Sequence, residues 1–302
     1  MTEGYMLSIA VITMNRSEQL VEAIDSCLKC KLPKETEFVI LDNASTDDTL
    51  ERLQELKEKV SYKFEYYHSD ENLGVGGGRS FVFEKANGKY VYFLDDDAII
   101  APENEDNFFI KPIEYLERNE NVASLTTEIY DEIFAFERTM NASSITIDGL
   151  PKMFFYLGTS HFLKKQCFSV PLYYNIIYGS EEYAPSIKAI DKGYSHVLDK
   201  SISIVHKPKI NKWVDGTKRM RNIQIRAAAV PYATKKILYP LIFHPILWLG
   251  YRKRCKKYLT EYKGAKKEAT AMAKGIIKDN KSKRIRIKTV IKMYKEFGLT
   301  VF

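Results

Sequence analysis

Three consecutive aspartates, Asp95, Asp96 and Asp97, follow the uncharged run Tyr90–Leu94. The run is β-branched, aromatic and leucine only, so it predicts a fully buried strand with the aspartates at its carboxyl end. Carboxylates packed there repel one another and resist desolvation, which a cation would relieve. The carboxyl ends of parallel strands are also where α/β sheets bind ligands. The other reading is an acidic turn that stops the strand and caps the next element. Two more groups are candidates. Glu181 and Glu182 fall at the first turn of an expected helix, where helix-dipole stabilisation alone would account for them. Gly74, Gly76, Gly77 and Gly78 precede Arg79 at another helix start. Amides freed by glycine can approach a phosphate, and a guanidinium suits the same ligand. No Lys–Ser/Thr pair follows, so this is no P-loop.

The elements that must position these groups alternate. Leu7–Thr13 is a continuous apolar strand, followed by Asn15 and Arg16 in a turn. Ser17 is placed to cap a helix whose Leu20, Val21, Ile24 and Leu28 recur at helical spacing. Phe38–Leu41 predicts a second strand ending at Asp42, and Ser45 to Asp47 cap a charged helix. A third strand covers Tyr62–Tyr67, a helix covers 79–87, and the aspartate strand comes next. Beyond it we expect a helix over 106–119, a strand over Val122–Tyr130, a loop with short strands over 131–152, and a strand over 153–165 interrupted at Gly158. Gly193 ends the helix that starts at the glutamate pair. A last strand, Ser201–Val205, runs into His206. Strand–helix alternation predicts a mostly parallel α/β sheet.

The chain has 302 residues, 45% of them hydrophobic, enough for a packed core in one large or two ordinary domains. The start reads directly as a strand, without the basic region of a signal peptide. Cys27 and Cys30 end a helix instead of opening one and have no companion ligands, so CLKC is expected to be structural. A reducing, cytoplasmic compartment fits. Residues 207–302 hold 26 Lys and Arg against 5 Asp and Glu, a net of +21, whereas the preceding 206 residues hold 20 against 34, a net of −14. The basic tail therefore needs an anionic partner. It predicts helices over 217–230 and 232–258 and two basic pieces over 260–297. Within it, 238–251 is apolar yet shorter than the roughly 20 residues that span a membrane, and it carries Pro240 and Pro245. RKRCKK follows at 252–257. We expect this part to lie on an anionic membrane surface. No RNA-reading motif accompanies the charge, so nucleic acid is not expected.

Six segments in order, VITMNR (11–16), LDNASTDDT (41–49), ENLGVGGGRS (71–80), FLDDDAI (93–99), EEYAPSIKAIDKGY (181–194) and VHKP (205–208), resemble the GT-A nucleotide-sugar glycosyltransferases of family 2. The similarity is to the rhamnosyl- and galactofuranosyl-transferase-like branch. It implies a GT-A fold, Rossmann-like with a mostly parallel central sheet: a catalytic domain over 1–206 and a basic, mostly helical region over 207–302. It also implies roles. Asp95 and Asp97 match the DxD pair, with Asp97 binding Mn²⁺ or Mg²⁺ and Asp95 supporting metal or donor. Asp96 lies between them in the donor site, and His206 matches a metal-binding histidine. Asp42 matches the residue that reads the base, Thr13 and Asn15 stand near base and ribose, and Asn72 and Arg79 fall in the donor-binding loop. Glu182 matches the general base, with Glu181 before it. The sequence departs from the family at Met14, where an aromatic is usual, and at Glu182, commonly Asp. The implied reaction is inverting transfer of a sugar from a nucleotide-diphosphate donor, a UDP-sugar first and dTDP-rhamnose next, to a saccharide or lipid-linked acceptor in bacterial surface polysaccharide synthesis. The enzyme would be cytoplasmic and peripheral on the inner face of the cell membrane. A scaffold subunit that only binds nucleotide-sugar is the alternative, and the joint presence of DxD, glutamate pair and histidine speaks against it. A nucleotidylyltransferase would want a glycine-rich basic loop where MNRSEQ stands.

Overall fold

The structure, a computed structural model, describes residues 4–132, 136–137, 142–176, 178–208 and 216–302. In chain order the elements are β1 (Leu7–Thr13), α1 (Ser17–Lys29), β2 (Thr36–Asn43), α2 (Thr49–Lys59), β3 (Lys63–Ser69), α3 (Gly74–Lys85), β4 (Tyr90–Leu94), β5 (Ala98–Ile100), α4 (Ile110–Arg118), β6 (Val122–Asp131), β7 (Phe136–Glu137), β8 (Ala142–Ile147), β9 (Leu150–Met153) and β10 (Ser160–Lys164). Then come α5 (Tyr183–Lys192), β11 (Ser195–His206), α6 (Gly216–Leu238), α7 (His244–Tyr258), α8 (Ala265–Asp279) and α9 (Ile287–Phe297). The strands form one sheet in the order β3-β2-β1-β4-β10-β6-β11-β9-β8. β3, β2, β1 and β4 pair in parallel, as do β6 and β11. β10 is inserted antiparallel between β4 and β6, so the central sheet is mixed but mostly parallel.

β1 and β4 lie at the centre because they are apolar on both faces, and β4 is buried along its whole length. One core packs α1 and α4 against one face, through Leu20, Ile24, Phe108 and Leu116. A second packs Val82 and Phe83 of α3 against the other. A third core joins the basic tail to the sheet domain: Ile187 and Ile190 of α5 pack with Ala228 and Leu238 of α6, Tyr251 of α7, Ala269 of α8 and Met293 of α9. The apolar run 238–251 is divided by this packing. Leu238, Tyr239, Leu247 and Tyr251 are buried, while Leu241, Ile242, Trp248 and Leu249 face outward.

Several expectations need correction. α3 begins at Gly74, not Arg79, so the glycines lie inside the helix. There they serve packing: a Cβ on Gly76 would stand 2.9 Å from the carbonyl oxygens of both Tyr174 and Ile176. Ser17 lies within α1, and its hydroxyl donates to Asp48 instead of capping the helix. The strand expected over 153–165 is two strands, β9 and β10, separated by the turn that holds Gly158. β11 extends six residues further toward its amino end than expected, and α6 continues through Pro231. Of the stretch 131–152, residues 133–135 and 138–141 lie outside the described residues, and β8 and β9 form an antiparallel hairpin.

Two glycine substitutions should diverge. Gly76→Ala should lower the stability of the fold by about 1–3 kcal/mol, because backbone carbonyls cannot step aside. Gly275→Ala in α8, where a Cβ meets nothing within 4 Å, should raise it by about 0.5–1 kcal/mol. Urea midpoints at matched slopes check both, and equal midpoints for the two variants would contradict the packing described.

Candidate active site

The carboxyl ends of β1, β2 and β4 open into a cleft of about 550 Å³. Thr13, Asn72, Arg79, Asp95, Asp96, Asp97, Glu181, Glu182 and His206 all line it. Asp96 accepts from the Thr13 hydroxyl at 2.8 Å and from Arg16 at 2.6 Å. The same Arg16 nitrogen lies 2.9 Å from Asp97. Burial pushes the Asp96 carboxyl up to about 6, against the pull of Arg16 and with the push of Asp97. Burial works against charge on Arg16 as well, but Asp96 and Asp97 outweigh it and hold the guanidinium protonated.

His206 ends β11 directly beside Asp131, which ends the parallel neighbour β6. Its Nδ1 lies 3.1 Å from Asp131 and its Nε2 3.3 Å from Asp97. With both ring nitrogens facing carboxylates, His206 can donate to both as an imidazolium, or, as a neutral ring held by Asp131 at Nδ1, offer its Nε2 lone pair to a cation. Ligand atoms of Asp95, Asp97 and His206 all lie within 4.8 Å of one another. Two carboxylates and one imidazole suit Mn²⁺, and the carboxylates suit Mg²⁺. The residues therefore fit a divalent metal.

Arg79 is the second cation, and it is buried. It donates to Asp95 at 2.5 Å, to Glu181 at 2.7 Å and to the Gly158 carbonyl at 2.9 Å, with Glu182 at 3.6 Å. Burial opposes its charge, and Asp95 and Glu181 overcome that and keep it protonated. Glu182 is the residue before the first turn of α5 and makes no side-chain capping bond there. Burial, helped by the neighbouring Glu181 charge and opposed by Arg79, pushes the Glu182 carboxyl up to about 8. The space it occupies exists because residue 158 is glycine: a Cβ there would collide with Glu182 and Arg79. Beneath lies His161, stacked between Phe93 and Tyr156 at 5.1 and 4.5 Å. Burial and the Arg79 charge push it well below the usual histidine range.

Two expected residues are not in the cleft. Asp42 is fully buried; one oxygen accepts from the Ser45 amide at 2.9 Å and the other lies 2.8 Å from His68 Nδ1. In this structure its carboxylate does not reach the cleft surface. Asn15, at φ 55°, accepts from the Thr46 amide at 2.7 Å and joins the turn after β1 to the loop after β2. Next to Asp42, Asn43 does line the cleft, and its amide donates to Asn72 at 3.1 Å. Asn72 in turn accepts from the Gly74 amide at 2.7 Å and reaches the Met14 sulfur. Arg79 lies in the cleft as expected but is committed to carboxylates, so it is not a free phosphate ligand. Sequence reasoning missed Arg16, Asp131, Asn43 and Gly158. Arg16 stood in the VITMNR motif, and Asp131 followed an expected strand as Asp42 did, although that strand carries Ser124, Thr126, Thr127 and Glu128 and is not apolar.

Comparison with known proteins gives a consistent outcome. The family model described as Glycosyl transferase family 2 matches residues 8–170. Poly(ribitol-phosphate) beta-N-acetylglucosaminyltransferase TarS of Staphylococcus aureus is 32% identical over 97 residues, covering 32% of this chain and 17% of that protein. Poly(ribitol-phosphate) beta-glucosyltransferase of Bacillus spizizenii is 30% identical over 98 residues, 32% of this chain and 16% of that one. The chain thus spans about a sixth of the length of these two relatives. In fold, it is similar to TarS residues 1–349 in complex with UDP-GlcNAc, with a TM-score of 0.60 at 13% identity over 98% of this chain and 89% of that one. It is equally similar to the mannosyltransferase PcManGT of Pyrobaculum calidifontis in complex with GDP-Man and Mn²⁺, with a TM-score of 0.60 at 15% identity over 100% and 82% of the two chains.

The raised Glu182 has a signed consequence for stability. Its carboxyl titrates near 4.5 when unfolded and about 8 when folded. Folding is therefore penalised progressively as pH rises through that window, and not below it. Glu182→Gln should raise the unfolding midpoint at pH 8, by on the order of 4 kcal/mol at most, and leave it unchanged near pH 4. A thermal melt series across pH checks this, and a uniform offset at all pH values would show that Glu182 is not held neutral by the fold.

Proposed function

The chain belongs to glycosyl transferase family 2, and from that premise we propose that it is an inverting, metal-dependent glycosyltransferase. The donor is a nucleotide-diphosphate sugar, a UDP-sugar first and dTDP-rhamnose next. The acceptor is a saccharide or a lipid-linked saccharide of bacterial surface polysaccharide synthesis. The sequence motifs favour the rhamnosyl- and galactofuranosyl-transferase-like branch. The observation that carries this reading is the meeting of Asp95, Asp97 and His206 with Glu182 in one cleft, joined through Arg79. Residues 1–206 would form the catalytic domain and 207–302 the basic helical region that braces it.

In the reaction, Asp95, Asp97 and His206 would hold Mn²⁺ or Mg²⁺, which when bound offsets the negative charge that grows on the diphosphate leaving group. Glu182 takes the proton from the acceptor hydroxyl. With a carboxyl at about 8 it is a base matched to neutral pH. The hydroxyl oxygen then attacks the anomeric carbon while the sugar–phosphate bond breaks, and this single displacement inverts that carbon. Arg79 holds Glu181 and Asp95 so that neither competes for the proton. With Asp42 sealed off, the pyrimidine edge would be met by Asn43 and Asn72. The UDP-GlcNAc complex of TarS supports a uridine donor.

We also propose that the tail rests on an anionic membrane surface, the cytoplasmic face of the cell membrane. Among the described residues no helix is long and apolar enough to cross a membrane. Leu241 and Ile242 are each 65% exposed and Leu249 is 61% exposed. Arg252, Lys253, Lys256 and Lys257 are exposed beside them. At about 1 kcal/mol per cation near an anionic surface, four such groups give on the order of 4 kcal/mol before screening. Apolar insertion adds a second anchor.

Asp97→Asn should keep the fold and abolish Mn²⁺-dependent UDP binding in calorimetry. Glu182→Gln should keep that binding and lower turnover by about two to four orders of magnitude, with Glu181→Gln costing less; unchanged turnover in Glu182→Gln would remove the general-base assignment. For the tail, flotation with phosphatidylglycerol vesicles should fail in 0.5 M salt and after joint substitution of Leu241, Ile242 and Leu249 by Ser. Equal binding to neutral vesicles would defeat the membrane proposal.

A further inference from the structure

The cleft has a rim that the donor does not need. The groups expected to hold nucleotide and metal come from β1, β2, β4, β11 and the start of α3. Just before Glu181 and Glu182 in the chain, Tyr178 and Gly179 also line the cleft. This wall has its own construction. Gly179 and Ser180 both take left-handed backbone, φ 87° and 64°. The resulting turn sets Tyr178 at the cleft while delivering Glu181 and Glu182 to its floor. Tyr178 is 49% exposed, and its ring carries the guanidinium of Arg226, 5.3 Å from the ring centre. Arg226 stands on α6, which belongs to the strongly basic part of the chain.

An acceptor must present its hydroxyl to Glu182, and Tyr178, four residues before it, lines the same cleft. We infer that Tyr178 and Arg226 form an acceptor subsite for a phosphate-bearing saccharide or polyol, the phosphate lying next to the unit whose hydroxyl is attacked. The tyrosine ring offers a flat apolar face for a sugar or polyol carbon chain. The guanidinium, planar and weakly hydrated, offers paired donors for phosphate oxygens and is already oriented by the ring. The guanidinium stands against the ring of a residue that lines the cleft, within reach of an anionic group on a ligand that packs on Tyr178. Two sources carry this chemistry, a polyol-phosphate chain and a diphosphate-linked lipid saccharide.

The inference rests on the glycosyltransferase reading, and the test separates the two. Wild-type protein is first saturated with UDP, or with dTDP if UDP does not bind, and Mn²⁺, which fills the donor site; absence of binding by both nucleotides would defeat the proposed donor and metal reading on which the inference rests. Three probes are then titrated by calorimetry: a synthetic ribitol-phosphate trimer, geranyl-diphosphate-linked N-acetylglucosamine, and plain ribitol. At least one phosphate probe should bind more than tenfold tighter than ribitol, and the tighter of the two identifies the source. That binding should weaken severalfold between 50 and 500 mM salt. Arg226→Gln should weaken it about tenfold, Arg226→Lys less because the fork but not the charge is lost, and Tyr178→Ala should weaken the phosphate probe as well. Melting temperatures of the variants report their fold, and the salt dependence of the wild type stands without them. Nucleotide binding combined with equal affinity for ribitol and both phosphate probes, or with a phosphate affinity indifferent to Arg226→Gln and to salt, overturns the subsite alone.

Discussion

A single buried guanidinium holds the cleft together. Arg79 sits among Asp95, Glu181 and Glu182 and is shared by all three. Without it, Asp95 would meet the consecutive Glu181 and Glu182, from a distant part of the chain, in a largely buried part of the cleft. Charge burial on that scale is unfavourable unless paired and hydrogen-bonded. The guanidinium fork satisfies this with one donor set directed at Asp95 and Gly158 and another at the glutamates. Arg16 does the same on the other side of the aspartate cluster, between Asp96 and Asp97. The two arginines divide the acids between them. Asp95 goes to the base, Asp96 goes to β1 through Thr13, and Asp97 is left facing His206.

The tail is part of this arrangement. Its hydrophobic core includes Ala184, Ile187 and Ile190, the inner face of the helix that Glu182 opens. Lys235 of α6 is fully buried under the rings of Phe154 and Tyr183, and its ammonium donates to the Thr300 carbonyl. Tyr183, next to the base, stacks on Phe155 at 4.2 Å. The orientation of α5, and so of Glu182, is thus set from below by α6 and not only by the sheet. A basic surface and a structural brace are combined in the same helices: most of their lysines face outward, while Lys235 is buried and Trp248 and Leu249 remain exposed.

How far the sequence disclosed this depends on the range of the interaction. β1 and β4 were legible to the residue, because unbroken apolar runs have one place to go in an α/β sheet. The helix after the glutamate pair was legible from Gly193, which takes φ 106° at its end. Asp95, Asp97, Glu182 and His206 were found by motif, and they converge. Pairings set by register were not legible. Asp131 meets His206 only because β6 and β11 run side by side, which local pattern does not reveal. The start of α3 was misplaced because four glycines in five residues argue against a helix by propensity, whereas close packing against Tyr174 and Ile176 requires them there. The partner of Asp42 was not legible for a related reason: an acid at a strand end can face the ligand or the next strand, and here His68 on β3 lies against it.

Gly158 contributes through an atom it lacks. Its carbonyl receives Arg79, and the volume where a side chain would begin is filled by Glu182 and Arg79. The usual way to silence an acid–base site is to neutralise a charge, which alters the field and the shape together. Here a single methyl group would dislodge the base and the guanidinium while every ionisable group stayed in the molecule. The turn between β9 and β10 therefore separates the contribution of position from that of electrostatics at a residue with no chemistry of its own.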